Sequence, residues 1–226
     1  MKNTFPAFIF LLMFGPAANA QQPAPVDSSF ANSYYKERLK FFRAMPDRKN
    51  EIVFLGNSLT EAGEWQELVP NQNVINRGIS GDVSFGIIAR LDEVLSSKPK
   101  KIFLLMGTND LKRGFPTALM IRNYETIINR VKKESLKTTL IIESIFPVNE
   151  SMIATEYKRI TNAKIKEVNS QLKQLAEKHQ LSYIDLHPLL EDSEGQMNKN
   201  YTTDGIHIKT TTYILWVNYL KNKGLL

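Results

Sequence analysis

Ile52-Val53-Phe54-Leu55-Gly56-Asn57-Ser58-Leu59-Thr60 is the stretch on which the fold turns. Four consecutive apolar residues, β-branched and aromatic among them, read as a strand covered on both faces, the pattern of a parallel sheet. Gly56 ends the run, and Ser58 is then presented at the strand's carboxyl end. Open parallel sheets bind their ligands along that edge. A serine there is either a turn former or a nucleophile.

The same pattern recurs outward from this point. Val74–Asn76, Lys101–Gly107, Thr139–Phe146 and Ser182–Leu186 are short apolar runs that predict four more strands. Helical spacing separates them: Phe85, Ile88, Leu91 and Leu95; Ala118, Ile121, Tyr124, Ile128 and Val131; then Ile160, Ala163, Val168, Leu172 and Leu175, ending near Gln180. After His207, the spacing of Tyr213, Trp216, Val217 and Leu220 predicts a last helix. Ahead of the first strand, Tyr35, Leu39 and Phe42 mark an additional one. Strictly alternating strands and helices specify an α/β domain, with a five-stranded, mainly parallel sheet between two helical layers.

A serine hydroxyl attacks at neutral pH only when a base takes its proton and a third group orients that base. Thr203-Asp204-Gly205-Ile206-His207 supplies both, with Asp204 three residues before His207. Of the chain's three histidines, His179 lies in a charged helix end. His187, in Asp185-Leu186-His187-Pro188, is the rival, or simply a polar loop residue. Two further loops follow predicted strands and open on the same edge. They are Asn76-Arg77-Gly78-Ile79-Ser80-Gly81-Asp82 and Gly107-Thr108-Asn109-Asp110. A glycine N–H and an asparagine amide are suitable donors for a developing oxyanion.

Together, Gly56-Asn57-Ser58-Leu59, the Asn76–Asp82 loop, Gly107-Thr108-Asn109-Asp110 and Asp204-Gly205-Ile206-His207 resemble, in order, the four signature blocks of the GDSL/SGNH hydrolases. The resemblance spans about residues 50 to 220. It is strongest to the branch of platelet-activating-factor acetylhydrolase and bacterial acetylesterases. It implies a flavodoxin-like α/β/α sandwich and ester hydrolysis. By position, Ser58 matches the nucleophile, His207 the base and Asp204 its orienting acid. Gly81 and Asn109 match the oxyanion donors, beside the Ser58 N–H. One departure is Asn57, where the family usually has Asp.

The termini and composition bound the rest. Lys2, the apolar core Phe8–Phe14 and Ala18-Asn19-Ala20 predict a signal peptide over 1–20. Residues 21–29 then form a tether, and 30–226 the hydrolase domain. An exported protein, periplasmic or secreted, follows. Seven consecutive apolar residues are too few to span a bilayer as a mature helix, and no stable membrane insertion is expected after signal removal. With no cysteine, disulfides and thiolate chemistry are excluded. The net charge of +6 is spread over helix faces, which does not predict nucleic-acid binding. No dinucleotide fingerprint, phosphate loop or zinc-protease motif is present, so no cofactor is expected.

The expected activity is therefore removal of a small acyl group, acetyl, from a small-molecule ester such as an acetylated carbohydrate. Two rivals are a lysophospholipase or thioesterase on longer chains, and a non-catalytic carbohydrate-binding module. Trp65 and the loop from Pro147 to about Thr155 are candidate pocket walls, with a core role the alternative for Trp65.

Overall fold

Each strand alternates its side chains between two apolar layers, and that alternation builds the molecule. The computed structural model describes Met1 and residues 28–226. The signal read over 1–20, apart from Met1, and most of the tether lie outside the described residues. In chain order the elements are α1 (Ser33–Ala44), β1 (Ile52–Gly56), α2 (Ser58–Glu61), α3 (Trp65–Leu68), β2 (Val74–Gly78), α4 (Ser84–Ala89) and α5 (Leu91–Ser96). Then come β3 (Lys101–Leu105), α6 (Thr108–Lys112), α7 (Thr117–Glu134), β4 (Thr139–Glu143), α8 (Asn162–Lys178), β5 (Ser182–Ile184), α9 (His187–Leu190) and α10 (Thr210–Asn222).

The five strands are parallel and lie in the order β2-β1-β3-β4-β5. This is the flavodoxin-like order, whose switch point falls between β1 and β3. The loops that leave those two strands carry Ser58 and Asn109. On one face, Val53, Leu55, Ile102, Leu104 and Ile142 pack on α4, α5, α7 and α8. On the other, Ile52, Phe54, Phe103, Leu105 and Ile141 meet α3, α9 and α10. α1 closes a smaller cluster, in which Tyr35 and Phe42 pack with Ile79 and Val83.

Two sequence expectations change, and the open alternative at Trp65 closes. The strands after β2 stop two or three residues earlier than the apolar runs, because Met106, Gly107 and Ser144–Phe146 continue as buried irregular backbone. The helix read across Phe85–Leu95 is two helices, broken at Arg90, whose side chain turns inward. The break shifts the phase, so Ile87 is fully buried while Phe85 and Ile88 are partly exposed. Trp65 is core: it stacks on Phe54 at 3.7 Å and meets Trp216 edge-on. Its Nε1–H donates to Thr60 O at 2.8 Å, which holds the turn carrying Ser58.

Candidate active site

Strand, tight turn and helix present Ser58. A Cβ on Gly56 would run into Leu105 O and the Thr60 side chain, so only glycine fits there. Asn57 caps α2: its Oδ1 accepts the Leu59 N–H at 3.0 Å. Its Nδ2 is buried with no partner among the described residues. An aspartate would keep the capping oxygen and remove the stranded donor. Asn57 therefore preserves the geometry of the turn while changing its charge. Ser58 opens α2, half-buried, with its hydroxyl toward His207.

His207 comes from a separate turn built by short-range bonds. Gly205 has φ +90°, and a Cβ there would meet Asn149 O at 2.8 Å. Asp204 Oδ1 accepts the N–H groups of Ile206 (2.9 Å) and His207 (2.8 Å). Its Oδ2 lies 2.7 Å from His207 Nδ1, and His207 Nε2 lies 3.0 Å from Ser58 Oγ. Partial burial works to raise the Asp204 carboxyl. The bonds from the His207 ring and from the two N–H groups outweigh it and hold the carboxyl below its ordinary value. An ionised carboxylate can only accept, so Nδ1 carries the proton and Nε2 presents a lone pair to the Ser58 hydroxyl.

The loops after β2 and β3 bring Gly81 and Asn109 beside Ser58. Gly81, at φ +79°, adopts backbone that disfavours any side chain. Among the described residues, neither its N–H nor that of Ser58 donates to the protein. Asn109 spends one amide hydrogen on Asp82 O at 2.9 Å, and the other has no protein partner among the described residues.

Behind these donors is a network that the sequence reading missed. Asp82 and Arg90 form a 2.9 Å ion pair with both side chains fully buried. Arg90 Nη2 also donates to Gly56 O at 3.0 Å, tying the loop after β2 to the end of β1. Burial pushes the Asp82 carboxyl up to about 6 against the pull of Arg90. Next to it, Asp110 takes the Ser84 N–H at 3.1 Å and the Ser84 hydroxyl, while Asn123 donates to Ser84 Oγ at 2.7 Å. Burial raises Asp110 to about 7. The available signal was the pair Asp82 and Arg90 flanking an otherwise apolar helical run.

Comparison with known proteins adds a second line. The model of the GDSL-like lipase/acylhydrolase family matches residues 54–213, most of the chain. The chain belongs to this family. It is 22% identical over 209 residues to human platelet-activating factor acetylhydrolase IB subunit alpha1, covering 89% of this chain and 87% of that protein. A solved Streptococcus pneumonia structure named for platelet activating factor is 31% identical, with a TM-score of 0.76 over 84% of this chain and 90% of its own. The acetylxylan esterase Axe2 of Geobacillus stearothermophilus shares the fold at 16% identity, with a TM-score of 0.62 over 80% of this chain and 97% of its own.

In this GDSL acylhydrolase the residues read from sequence meet around one cavity of about 130 Å³, lined by Ser58, Gly81, Asn109 and His207. Two unforeseen residues, Lys112 and Tyr157, complete its wall. Tyr157 belongs to a single 3₁₀ turn at Thr155–Tyr157, just past the loop that sequence proposed. A larger cleft of about 620 Å³ runs between α7 and α8, but polar helix faces line it and it holds no paired nucleophile. His187 is elsewhere: it is buried at the start of α9, its N–H on Ser144 Oγ at 2.9 Å and its Nδ1 3.2 Å from Ile145 O. Among the described residues, no cluster of three or more metal-binding side chains occurs, and no helix is long and apolar enough to cross a membrane.

Proposed function

We propose that the protein is a serine esterase that removes acetyl groups from small esters, acetylated carbohydrate among them. The observation that carries this reading is the unbroken line Asp204–His207–Ser58, at 2.7 and 3.0 Å, opening into a cavity of about 130 Å³. Ser58 Oγ attacks the ester carbonyl while His207 Nε2 takes its proton. The carbonyl oxygen becomes an oxyanion, held by the N–H groups of Ser58 and Gly81 and by the free amide hydrogen of Asn109. Collapse expels the alcohol, which His207 protonates, and leaves acetyl on Ser58. Water then gives its proton to His207 and attacks the acyl-enzyme; the bond from acyl carbon to Ser58 Oγ breaks, His207 returns the proton to Oγ, and acetate leaves. Asp204 stabilises the imidazolium in both halves and stays ionised.

The small cavity is what favours acetyl. An open groove would gain roughly 0.8 kcal/mol per buried methylene of a longer chain, whereas a closed pocket rejects it by steric clash. The two designs give opposite trends in kcat/KM along p-nitrophenyl esters from acetyl to octanoyl. We expect values to fall with chain length. Rising values would favour a lysophospholipase or thioesterase. Binding of an acetylated sugar without turnover would favour the non-catalytic module.

A further inference from the structure

Lys112 is the one permanently charged side chain among the described residues that line the cavity. It ends α6, one helical turn after Asn109, so the helix directs it toward the same side as the oxyanion donor. Its ammonium rests 3.8 Å from the centre of the Tyr157 ring. Among the described residues it forms no ion pair and no hydrogen bond, and the Tyr157 hydroxyl has no partner either. Tyr157 is itself anchored, since its ring packs against the main core.

This arrangement differs in kind from an ordinary surface lysine. A ring face holds a cation in place through its quadrupole but does not neutralise it. A carboxylate partner would have cancelled the charge. Here the lysine is positioned, half-buried along its stem, and still presents a full positive charge to the site. Asp204 is already bonded to His207 and to two backbone N–H groups, and Glu61, which accepts the N–H of Ser80 on the cavity wall, is paired with Arg38. Nothing on the cavity wall offsets Lys112.

We infer that Lys112, held on Tyr157, selects esters whose alcohol carries an anionic group, a carboxylate or a phosphate. The inference rests on the acetylesterase reading above. Acetyl is uncharged, so the negative charge that Lys112 meets belongs to the alcohol. Lys112 would be a specificity residue, raising the local concentration of anionic substrate and orienting it, and would take no part in proton transfer.

The test compares kcat/KM for phenyl acetate with kcat/KM for its para-carboxylate and its para-phosphate. Each ratio contains leaving-group chemistry, but the change in ratio between wild type and a variant contains only the enzyme's response to charge. Lys112→Met keeps the stem and removes the charge. It should lower the anionic-to-neutral ratio about fivefold to tenfold, the size expected of one partly screened charge near a surface. Lys112→Arg should hold the ratio near that of wild type, and Lys112→Glu should push it below that of Lys112→Met. The preference should shrink in about 1 M salt, where the screening length is about 3 Å. The larger response of the two anions identifies which group the site is shaped for. A ratio that Lys112→Met leaves unchanged would overturn the inference and reduce Lys112 to a packing contact for Tyr157. Failure of the esterase reading looks different: phenyl acetate would not be turned over, or Ser58→Ala would turn it over as wild type does.

Discussion

Two aspartates, each paired with a nitrogen base at nearly equal length, serve the neighbourhood of Ser58. Asp82 and Arg90 meet at 2.9 Å with neither side chain exposed; Asp204 and His207 meet at 2.7 Å with side chains 51% and 37% exposed. Burial pushes the Asp82 carboxyl up to about 6, whereas at Asp204 hydrogen bonds win over burial and the carboxyl goes down. The contrast is one of environment rather than chemistry. In a dry interior, separating two charges leaves each without water, so the pair is fixed in one state and acts as a brace. Close to solvent the cost of changing partners is small, and an imidazole can gain and lose a proton repeatedly. A site that moves protons needs the second kind of pair where the chemistry occurs and the first kind behind it.

The sharpest way to separate the two is to neutralise each. Asp204→Asn should lower kcat by about 10⁴-fold, because the imidazole then loses the partner that keeps its proton on Nδ1. Thermal or denaturant unfolding should shift by less than about 1 kcal/mol, as a half-exposed pair contributes little to stability. Arg90→Met should do the reverse. It strands Asp82 and should destabilise the fold by about 3 to 5 kcal/mol, and the double variant Arg90→Met, Asp82→Asn should recover part of that loss. Equal stability of Arg90→Met and wild type would remove the brace from the account.

Asn109→Ala probes the junction, since Asn109 bonds to Asp82 O and faces the cavity. Its kcat should fall by about 10²- to 10³-fold with KM little changed, as expected for a donor that acts on the charged intermediate. An effect confined to KM would make Asn109 a ground-state contact. The smallest effect on turnover belongs to a buried carboxyl with no cation. Glu143 accepts from Trp216 Nε1 at 2.8 Å, and burial raises it to about 8. The folded chain thus keeps a proton that the unfolded chain releases from about pH 4.5 upward. Stability should fall as pH rises through that window, by no more than about 1.4 kcal/mol per unit, until Glu143 ionises near 8. Glu143→Gln keeps the acceptor oxygen and should flatten the slope without changing kcat. A slope that survives the substitution would assign it to Asp110 or another group.

The sequence was legible wherever one residue type had one job. Apolar runs placed all five strands, and the polar blocks named Gly81, Asn109 and His207, which share a cavity with Ser58. Strand ends were less legible because Ser144–Phe146 is as buried as the strand before it, and burial alone does not distinguish ladder from loop. Arg90 is hidden in the sequence because a charged residue between Ile88 and Leu91 resembles a solvent face. Only the fold reveals that the helix breaks there and delivers the guanidinium to Asp82 and Gly56. Lys112 and Tyr157 are 45 positions apart and meet through loops after different strands, so no local pattern joins them. Trp65 was ambiguous for a related reason: an aromatic near a serine suits a pocket wall or a core equally well.

The Ser58–His207 bond joins residues 149 positions apart. Its consequence lies in time. A ribosome delivers β1 and its serine early, but the base arrives only after β2, β3, β4 and β5 have been made, and α10, whose Trp216 packs edge-on to Phe54 of β1, comes later still. Until then the nascent chain carries a serine with no group to take its proton and an aromatic surface with no cover. On the proposed mechanism, hydrolysis waits until translation has passed His207, and a prematurely terminated product shorter than that should be silent.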